Sequence, residues 1–475
     1  MFEASTYLIS QGLFIKSIGL IYFIAFLSLL VQVKGLYGSQ GIQSIHTYLE
    51  ILKNKYKGRK VYTQLPTIFW INSSDSALLI ACWAGIAFSI ITMVGFYPAI
   101  FLLMLWCLYS SFINAGAPFL NFQWDILLLE VGFLAFLLAI QSPPPFLLIF
   151  LLWFLLFRFI LSSGLTKLMH GSKEWHDLTA MEYHYETQPL PTIIGYYAHQ
   201  QSKLFAKISV LGVYFFEIVV PLFIFSPPPV RLVVFWLLVF FQFLLMMTGN
   251  FAFFNLLSIV MCIPLLPDSS LEFFENISRF IPLAGPHPIL EWIVIIISAF
   301  FILLNALELT SLFANVGKIY RLVHPFRLYN LINPYGLFVH MTTWRDEIIV
   351  EGSEDGKSWI PYEFKWKPEN PSLKPRWVAP HQPRLDWQMW FASLSNIERN
   401  PWLIQFFYLL LSGSRDVLKL LKANPFPNKP PKYVRALRYR YHFTDFKTKR
   451  SSGMWWTREL IGEYSPSYSL NENKK

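Results

Sequence analysis

Charge is what this chain has least of. Only 14% of its 475 residues are Asp, Glu, Lys or Arg, against about 25% in soluble domains, while 54% are hydrophobic and 18% aromatic. Those proportions exclude an ordinary soluble domain and define a membrane protein. Cysteine is nearly absent: Cys82, Cys107 and Cys262 all lie inside apolar runs, which excludes a disulfide framework or metal-ligand spacing and predicts buried thiols. The opening residues MFEASTYLISQGLF have neither a basic segment nor a small-residue cleavage site. The first apolar run is therefore expected to remain as an anchor instead of being removed as a signal peptide.

Long apolar runs are what the chain has in abundance. Crossing about 30 Å of hydrocarbon takes roughly 17 to 25 such residues. Runs near 13–33, 77–96, 98–113, 124–141, 146–163, 206–226, 230–248, 250–267 and 289–309 predict a polytopic α-helical bundle of about nine spans. The punctuation SPPP occurs at Ser142–Pro145 and at Ser226–Pro229, and proline there ends one helix and restricts the residue before it. Each SPPP reads as the tip of a helical hairpin.

An odd number of spans puts the loops after the first, fifth and ninth on one face with the C-terminal region. That face carries Lys53, Lys55, Lys57, Arg59, Lys60, Lys167, Lys173, Lys203, Lys318, Arg321 and Arg327, while the other has little beyond Arg231 and Arg279. The positive-inside rule makes the basic face cytoplasmic. The net charge of +10 then needs no nucleic acid, because Lys and Arg beside a bilayer are drawn to anionic lipid headgroups.

Ionisable residues inside spans are costly and mark a partner or a cavity. Glu130 and Arg158 stand at similar distances on either side of the first SPPP, so a rise of about 1.5 Å per residue sets them at matching depth as an ion pair. Asp125, Asn250, Asn255, Asn305 and Glu308 fall toward the basic face, and Glu217 lies nearer mid-membrane. Such groups either satisfy one another and fix helix packing or line a substrate-facing cavity.

Between spans five and six lies GLTKLMHGSKEWHDLTAMEYHYETQPLP, Gly164–Pro191. Its His170, His176 and His184 are six and eight residues apart, which is not the spacing of a zinc site. An interfacial connector over 164–205 is expected instead, with Trp175, Leu178, Met181, Tyr183 and Tyr185 toward lipid or the C-terminal region. His184 and Glu186 would form an exposed corner.

The membrane region is expected over 1–325, a C-terminal β-rich α+β domain with an aromatic helix over 326–462, and a polar, frayed tail over 463–475. WRDEIIVEGSEDGKSWIPYEFKWKP, Trp344–Pro368, alternates as a hairpin around SEDG. Phe338 and His340 suggest a third strand of a small antiparallel sheet. The piece PRWVAPHQPRLDWQMWFASL, Pro375–Leu394, runs into a helix of Trp387, Trp390 and Phe391.

NFQWDILLLEVGFLA, the connector through YYAHQ, TGNFAFFNLL, EIIVEGSEDGKSW and above all VAPHQPRLDWQMWF resemble the lipase maturation factor family, in the expected order over nearly the whole chain. The resemblance implies a polytopic, non-enzymatic factor that helps secreted lipases reach their active form. Its implied partners are a client lipase and membrane lipids. The implied place is the endoplasmic reticulum membrane with the C-terminal domain luminal, or the inner membrane in a bacterium; this opposes the charge rule on sidedness. His381, Arg384, Asp386, Trp387 and Trp390 are the candidate client-binding residues. SGLTKLMHGSKEW, Ser163–Trp175, resembles more faintly the vitamin K-dependent gamma-carboxylases. That resemblance implies the alternative of a lipid- or quinone-handling enzyme with Lys167, His176, Glu130 and Arg158 around a pocket, set against the plain reading of Lys167 as an interfacial anchor.

Overall fold

Among the described residues nine apolar helices build the membrane part, several of them begun by proline or a small polar cap. A computed structural model describes residues 7–56, 58, 60–313 and 317–470; Lys57 and Arg59 of the basic cluster and the last residues of the expected tail lie outside the described residues, as does the side chain of Lys318. The helices are α1 Leu8–Leu30, α2 Asp75–Val94, α3 Pro98–Ala115, α4 Gln123–Leu138, α5 Phe146–His170, α6 Lys203–Tyr214, α7 Pro228–Thr248, α8 Phe254–Cys262 and α9 Pro288–Thr310. Pro98, Pro228 and Pro288 occupy first-turn positions, where a missing N–H costs nothing. Ser74 and Ser202 cap α2 and α6 by accepting from Ala77 N and Phe205 N. Asp268 caps α1 from a distant loop, accepting from the N–H groups of Leu8 and Ile9 at 2.8 Å each.

Seven of these are long and apolar enough to cross a membrane, with α6 continuing to Phe223. The expected spans near 124–141 and 250–267 instead form the shorter α4 and a helical piece Phe254–Leu265. The physical reason is their place. Leu127, Leu128, Leu129, Val131 and Leu257 are fully buried, so these helices are surrounded by protein and need not match the lipid thickness. The lipid-facing surface is carried by α2, α6, α7 and α9, where Ile80, Ile208, Trp236 and Ile296 are each more than half exposed. Cys82 and Cys262 are buried as expected, but Cys107 of α3 is exposed.

The C-terminal sheet is antiparallel in the order β2-β1-β3-β4, from β1 Arg345–Ser353, β2 Ile360–Pro361, β3 Tyr433–Phe443 and β4 Trp456–Tyr468. Ile348 stands opposite Arg438, and Tyr441 opposite Arg458. Helices α10 Arg384–Ser393 and α11 Pro401–Leu411 cover it, and Tyr464 of β4 donates its hydroxyl to Ala392 O at 2.9 Å. The expected hairpin forms, but its second arm is two residues long.

Two expectations for this region fail. Phe338 and His340 are not in a strand: Phe338 has φ 53°, and its carbonyl accepts Trp175 Nε1 at 2.9 Å while Val339 O accepts Ser172 N at 3.1 Å. With the backbone bonded to the connector, no ladder is available to it. The expected polar tail past Gly462 is the second half of β4, because its pairing with β3, shifted by bulges, continues to Val434↔Tyr468.

One apolar core runs from α1 through the bundle into the sheet, taking in Phe14, Leu128, Trp387, Phe406 and Val434. Helix α1 enters it by close packing: a Cβ on Gly85 of α2 would stand 2.5 Å from the Phe26 ring, and one on Gly132 of α4 would stand 2.1 Å from Tyr22 Oη. Small residues at such crossings let helix backbones approach. We expect Gly85→Val to destabilise the detergent-extracted protein by about 1–3 kcal/mol, read as a lowered thermal midpoint, while Ile80→Ala on the lipid-facing side of the same helix leaves the midpoint nearly unchanged.

Candidate functional site

Three of the polar clusters inside the bundle contain the residues singled out above, and the first two are sockets for the C-terminal chain. Asp125 at the start of α4 accepts from Tyr109 Oη at 2.5 Å and from both terminal nitrogens of Arg384 at 3.0 Å. Arg384 also donates to Phe119 O at 2.8 Å, and although burial opposes its charge, Asp125 and Tyr109 hold the guanidinium above its ordinary value. The residues before it are tied just as closely. Gln382 and Arg384 give their N–H groups to Ser28 Oγ and Gln32 Oε1 of the α1 end at 3.0 and 2.8 Å. Trp124 Nε1 donates to Gln382 Oε1 at 2.7 Å, and His381 Nδ1 lies 2.9 Å from Ser28 Oγ. Asn250 accepts from Val378 N at 2.7 Å and donates to Arg376 O at 2.8 Å.

The second cluster contains the expected pair. Arg158 Nη2 donates to Glu130, Arg158 Nε to Asn305 Oδ1 at 2.7 Å, and Arg158 Nη1 to Asn333 O at 2.6 Å. Tyr335 Oη completes the carboxylate at 2.6 Å. Asn333 and Tyr335 come from the segment after the last span, so this pair too is closed by the C-terminal chain. Arg327 holds Glu308 of α9 at 2.7 Å in the same manner.

The third cluster is separate. Helix α5 continues to His170, three residues past Lys167. Lys167 is therefore 2% exposed rather than anchored among headgroups, and it donates to both oxygens of Glu217 at 2.9 and 2.6 Å. Glu217 is presented by a π-helical turn, Phe215–Val219, a distortion that recurs at functional sites. Beside the pair is a chamber of about 50 Å³ lined also by His184, Trp175, Phe251 and Phe338. Burial, reinforced by the charge of Lys167, pushes the His184 imidazole down to about 4.

Of the residues singled out as a carboxylase-like centre, Glu130 and Arg158 meet, Lys167 has Glu217 as its partner, and His176 is exposed on the connector. The histidine beside Lys167 is His184. Both it and Glu186 are buried rather than forming an exposed corner: His184 is packed against Phe251 and Phe338, and the sheet docks on Glu186, which accepts Phe443 N and lies 3.5 Å from His442. No signal within the local sequence distinguished His184 from His176, and Glu217 is 50 residues from Lys167.

The expected client-binding residues are mostly inside as well. Arg384, Asp386 and Trp387 are buried, Trp387 packs edge-on against Trp124 with centroids 5.0 Å apart, and Asp386 accepts the N–H groups of Trp366 and Lys367 at 2.8 and 3.0 Å. The surface they were expected to offer a client is occupied by the protein's own bundle. Trp390 is half-buried, and Phe391 is exposed beside it.

This arrangement defines a multi-pass membrane protein whose extramembrane sheet is keyed into the bundle by buried charge. The lipase maturation factor transmembrane domain model matches residues 9–273, and the lipase maturation factor C-terminal domain model matches residues 331–466. The chain is 31% identical to lipase maturation factor 2 of Xenopus tropicalis, covering 98% of this chain and 83% of that one. It is likewise 31% identical to lipase maturation factor 1 of Homo sapiens, covering 99% and 89%. No solved structure matches it significantly. The chain belongs to the lipase maturation factor family.

Breaking a buried pair from one side leaves an uncompensated charge and costs about 3–5 kcal/mol, whereas removing both partners costs far less. Arg384→Met or Asp125→Leu should therefore each loosen the C-terminal domain, read as faster proteolysis between 331 and 470 in detergent, and the double variant should recover much of the loss. Additive single effects would show that the two side chains act independently.

The seam also has a pH signature. Burial pushes Asp386 up to about 6 and Glu369 up to about 7, the latter against Lys367; it pushes His381 down to about 4, helped by Arg384 and Lys365. Between about pH 4.5 and 6 unfolding releases protons from the two carboxyls, whose folded values lie above the unfolded ones, and takes them up on His381 and His184. The carboxyls thus favour the folded state on acidification and the histidines oppose it. Asp386→Asn, which keeps an acceptor for the two N–H groups, should make thermal stability fall more steeply than wild type from pH 6 to 4.5; parallel curves would count against the assignment.

Proposed function

We propose that this chain assists the maturation of a secreted lipase by holding it in an unfinished state beside the membrane. The observation that carries the reading is the near full-length likeness to proteins named lipase maturation factors. The membrane follows from the cell: the endoplasmic reticulum membrane in a eukaryote, the cytoplasmic membrane in a bacterium. In either, the sheet belongs on the side where the client folds.

Because Arg384 and Trp387 are buried, our reading takes the outer edge of β4 as the client surface. Strand β4 is last in the sheet order, so its far side has no ladder partner among the described residues. Thr457, Arg458, Glu459, Leu460 and Ile461 are all exposed, the two aliphatics at 54% and 48%. An uncovered edge strand is a template for an incoming strand, and strand addition gives affinity through the backbone with little demand on client sequence. That suits a factor acting on incompletely folded chains. Pro466 limits the usable edge on its C-terminal side.

Ile461→Pro, together with Leu460→Asp, should abolish recovery of active lipase from cells co-expressing the two proteins while leaving the factor itself inserted and protease-resistant. Full recovery with this double variant would overturn the edge as the client surface. Ile80→Ala serves as the neutral control.

A further inference from the structure

Next to the Lys167 chamber a second cavity opens sideways between α6 and α7, with the connector helices Ala180–Thr187 and Ile193–His199 as its roof. Its volume is about 390 Å³, within the range of about 300–1,000 Å³ that holds small organic ligands. The two are continuous but for a thin wall: Met181, Val213, Phe241 and Leu245 line both. A methionine in that wall is a pliable element.

We propose that the groove and chamber together bind one neutral, single-chain acyl lipid, its chain in the groove and its hydroxyl or ester head beside His184. Three observations select that occupant. The open side lies among lipid-facing residues, with Leu204, Ile208, Leu211 and Phe215 of the α6 segment and Phe240 and Leu244 of α7 all exposed, so the ligand enters from the bilayer. The walls are apolar except for uncharged groups such as Tyr197, Gln201, Ser209 and Thr248. The two charges at the inner end already neutralise each other as Lys167–Glu217, so an anionic or cationic head would be left buried without a counter-charge. His184, by contrast, is 6% exposed, lines the chamber, and makes ring contacts to Phe251 and Phe338 with no side-chain hydrogen bond among the described residues. A buried imidazole without a partner is costly, and a hydroxyl or ester oxygen supplies one.

The binding reading is independent of the client-holding role. It is tested on the full-length protein in phosphatidylcholine nanodiscs with a monoacylglycerol that carries a photoactivatable diazirine in its chain. Crosslinks are expected to concentrate on peptides spanning 205–216 and 241–248 and to be displaced by unlabelled monoacylglycerol but not by a fatty acid of equal length at neutral pH. A Cβ on Gly212, which lines the groove, meets no atom within 4 Å, so Gly212→Trp should fill the groove and cut labelling about tenfold, equivalent to roughly 1.4 kcal/mol. Ser209→Phe blocks the same groove should that variant fail to fold. His184→Phe should weaken labelling while leaving the groove open. Labelling as heavy on α2 and α9 as on the groove, equal displacement by the fatty acid, or labelling unchanged by the groove-filling variants would each overturn the proposal.

Discussion

The salt bridge between Asp125 and Arg384 is the constraint on which the rest of the architecture depends. A charged pair at the end of a membrane helix is tolerable only when both partners are present and their remaining donors and acceptors are met. Tyr109, Phe119 and Phe122 meet all of them but Arg384 Nε from the bundle side. The pair therefore exists only in the docked state, and removal of the C-terminal chain would leave Asp125 buried without its counter-ion. The same logic repeats at Glu130–Arg158, closed by Asn333 and Tyr335, and at Asn250, closed by Arg376 and Val378. The polar residues that gather near one face of the bundle are thus the receiving half of an interface, and the sheet is held in one position by several independent locks.

How much of this could be read from residues alone follows from the range of each interaction. Helices were legible because apolar bulk is a local property, and the Glu130–Arg158 pair was legible because both residues lie at similar distances from one helical tip. The lengths of α4 and α8 were not, because burial inside protein relaxes the demand that lipid thickness makes. Arg384 announced its importance through the oddity of its neighbourhood, but its partner is 259 residues away, and nothing local distinguishes an arginine that meets a client from one that meets its own bundle. Phe338 and His340 alternate like a strand; what overrode the pattern was a tertiary demand, the connector's Trp175 and Ser172 taking the backbone carbonyls. Lys167 followed the same rule. Its helix continues beyond the apolar run that predicted its end, which draws the amine inward to Glu217.

Those distinctions also separate what is rigid from what is available. Among the described residues the buried charges Arg384, Glu130 and Arg158 at the seam are each paired within the protein, although single atoms such as Arg384 Nε and Gln382 Nε2 have no hydrogen-bond partner. Lys167 bonds both oxygens of Glu217, and a general base would first have to be released from that pair. Two features stand open to other molecules. One is backbone, the outer edge of β4, suited to chains whose sequence is not specified. The other is an apolar groove on the bilayer side, divided from the His184 chamber by Met181, Val213, Phe241 and Leu245.

The two openings lie on different sides of the same keyed interface, and this bears on how the factor could work. The sheet cannot shift relative to the bundle without exposing Asp125 or Glu130, so its free edge is carried at a set distance from the membrane. A lipase acts on lipid, and its unfinished chain exposes apolar surface that a bilayer would also attract. On the proposed reading, an edge strand held against the bundle offers that chain hydrogen bonds in place of lipid contact. Mobility of the domain would defeat this, which is a physical reason for spending so many buried charges on the seam when an apolar interface of the same area would be as stable or more so.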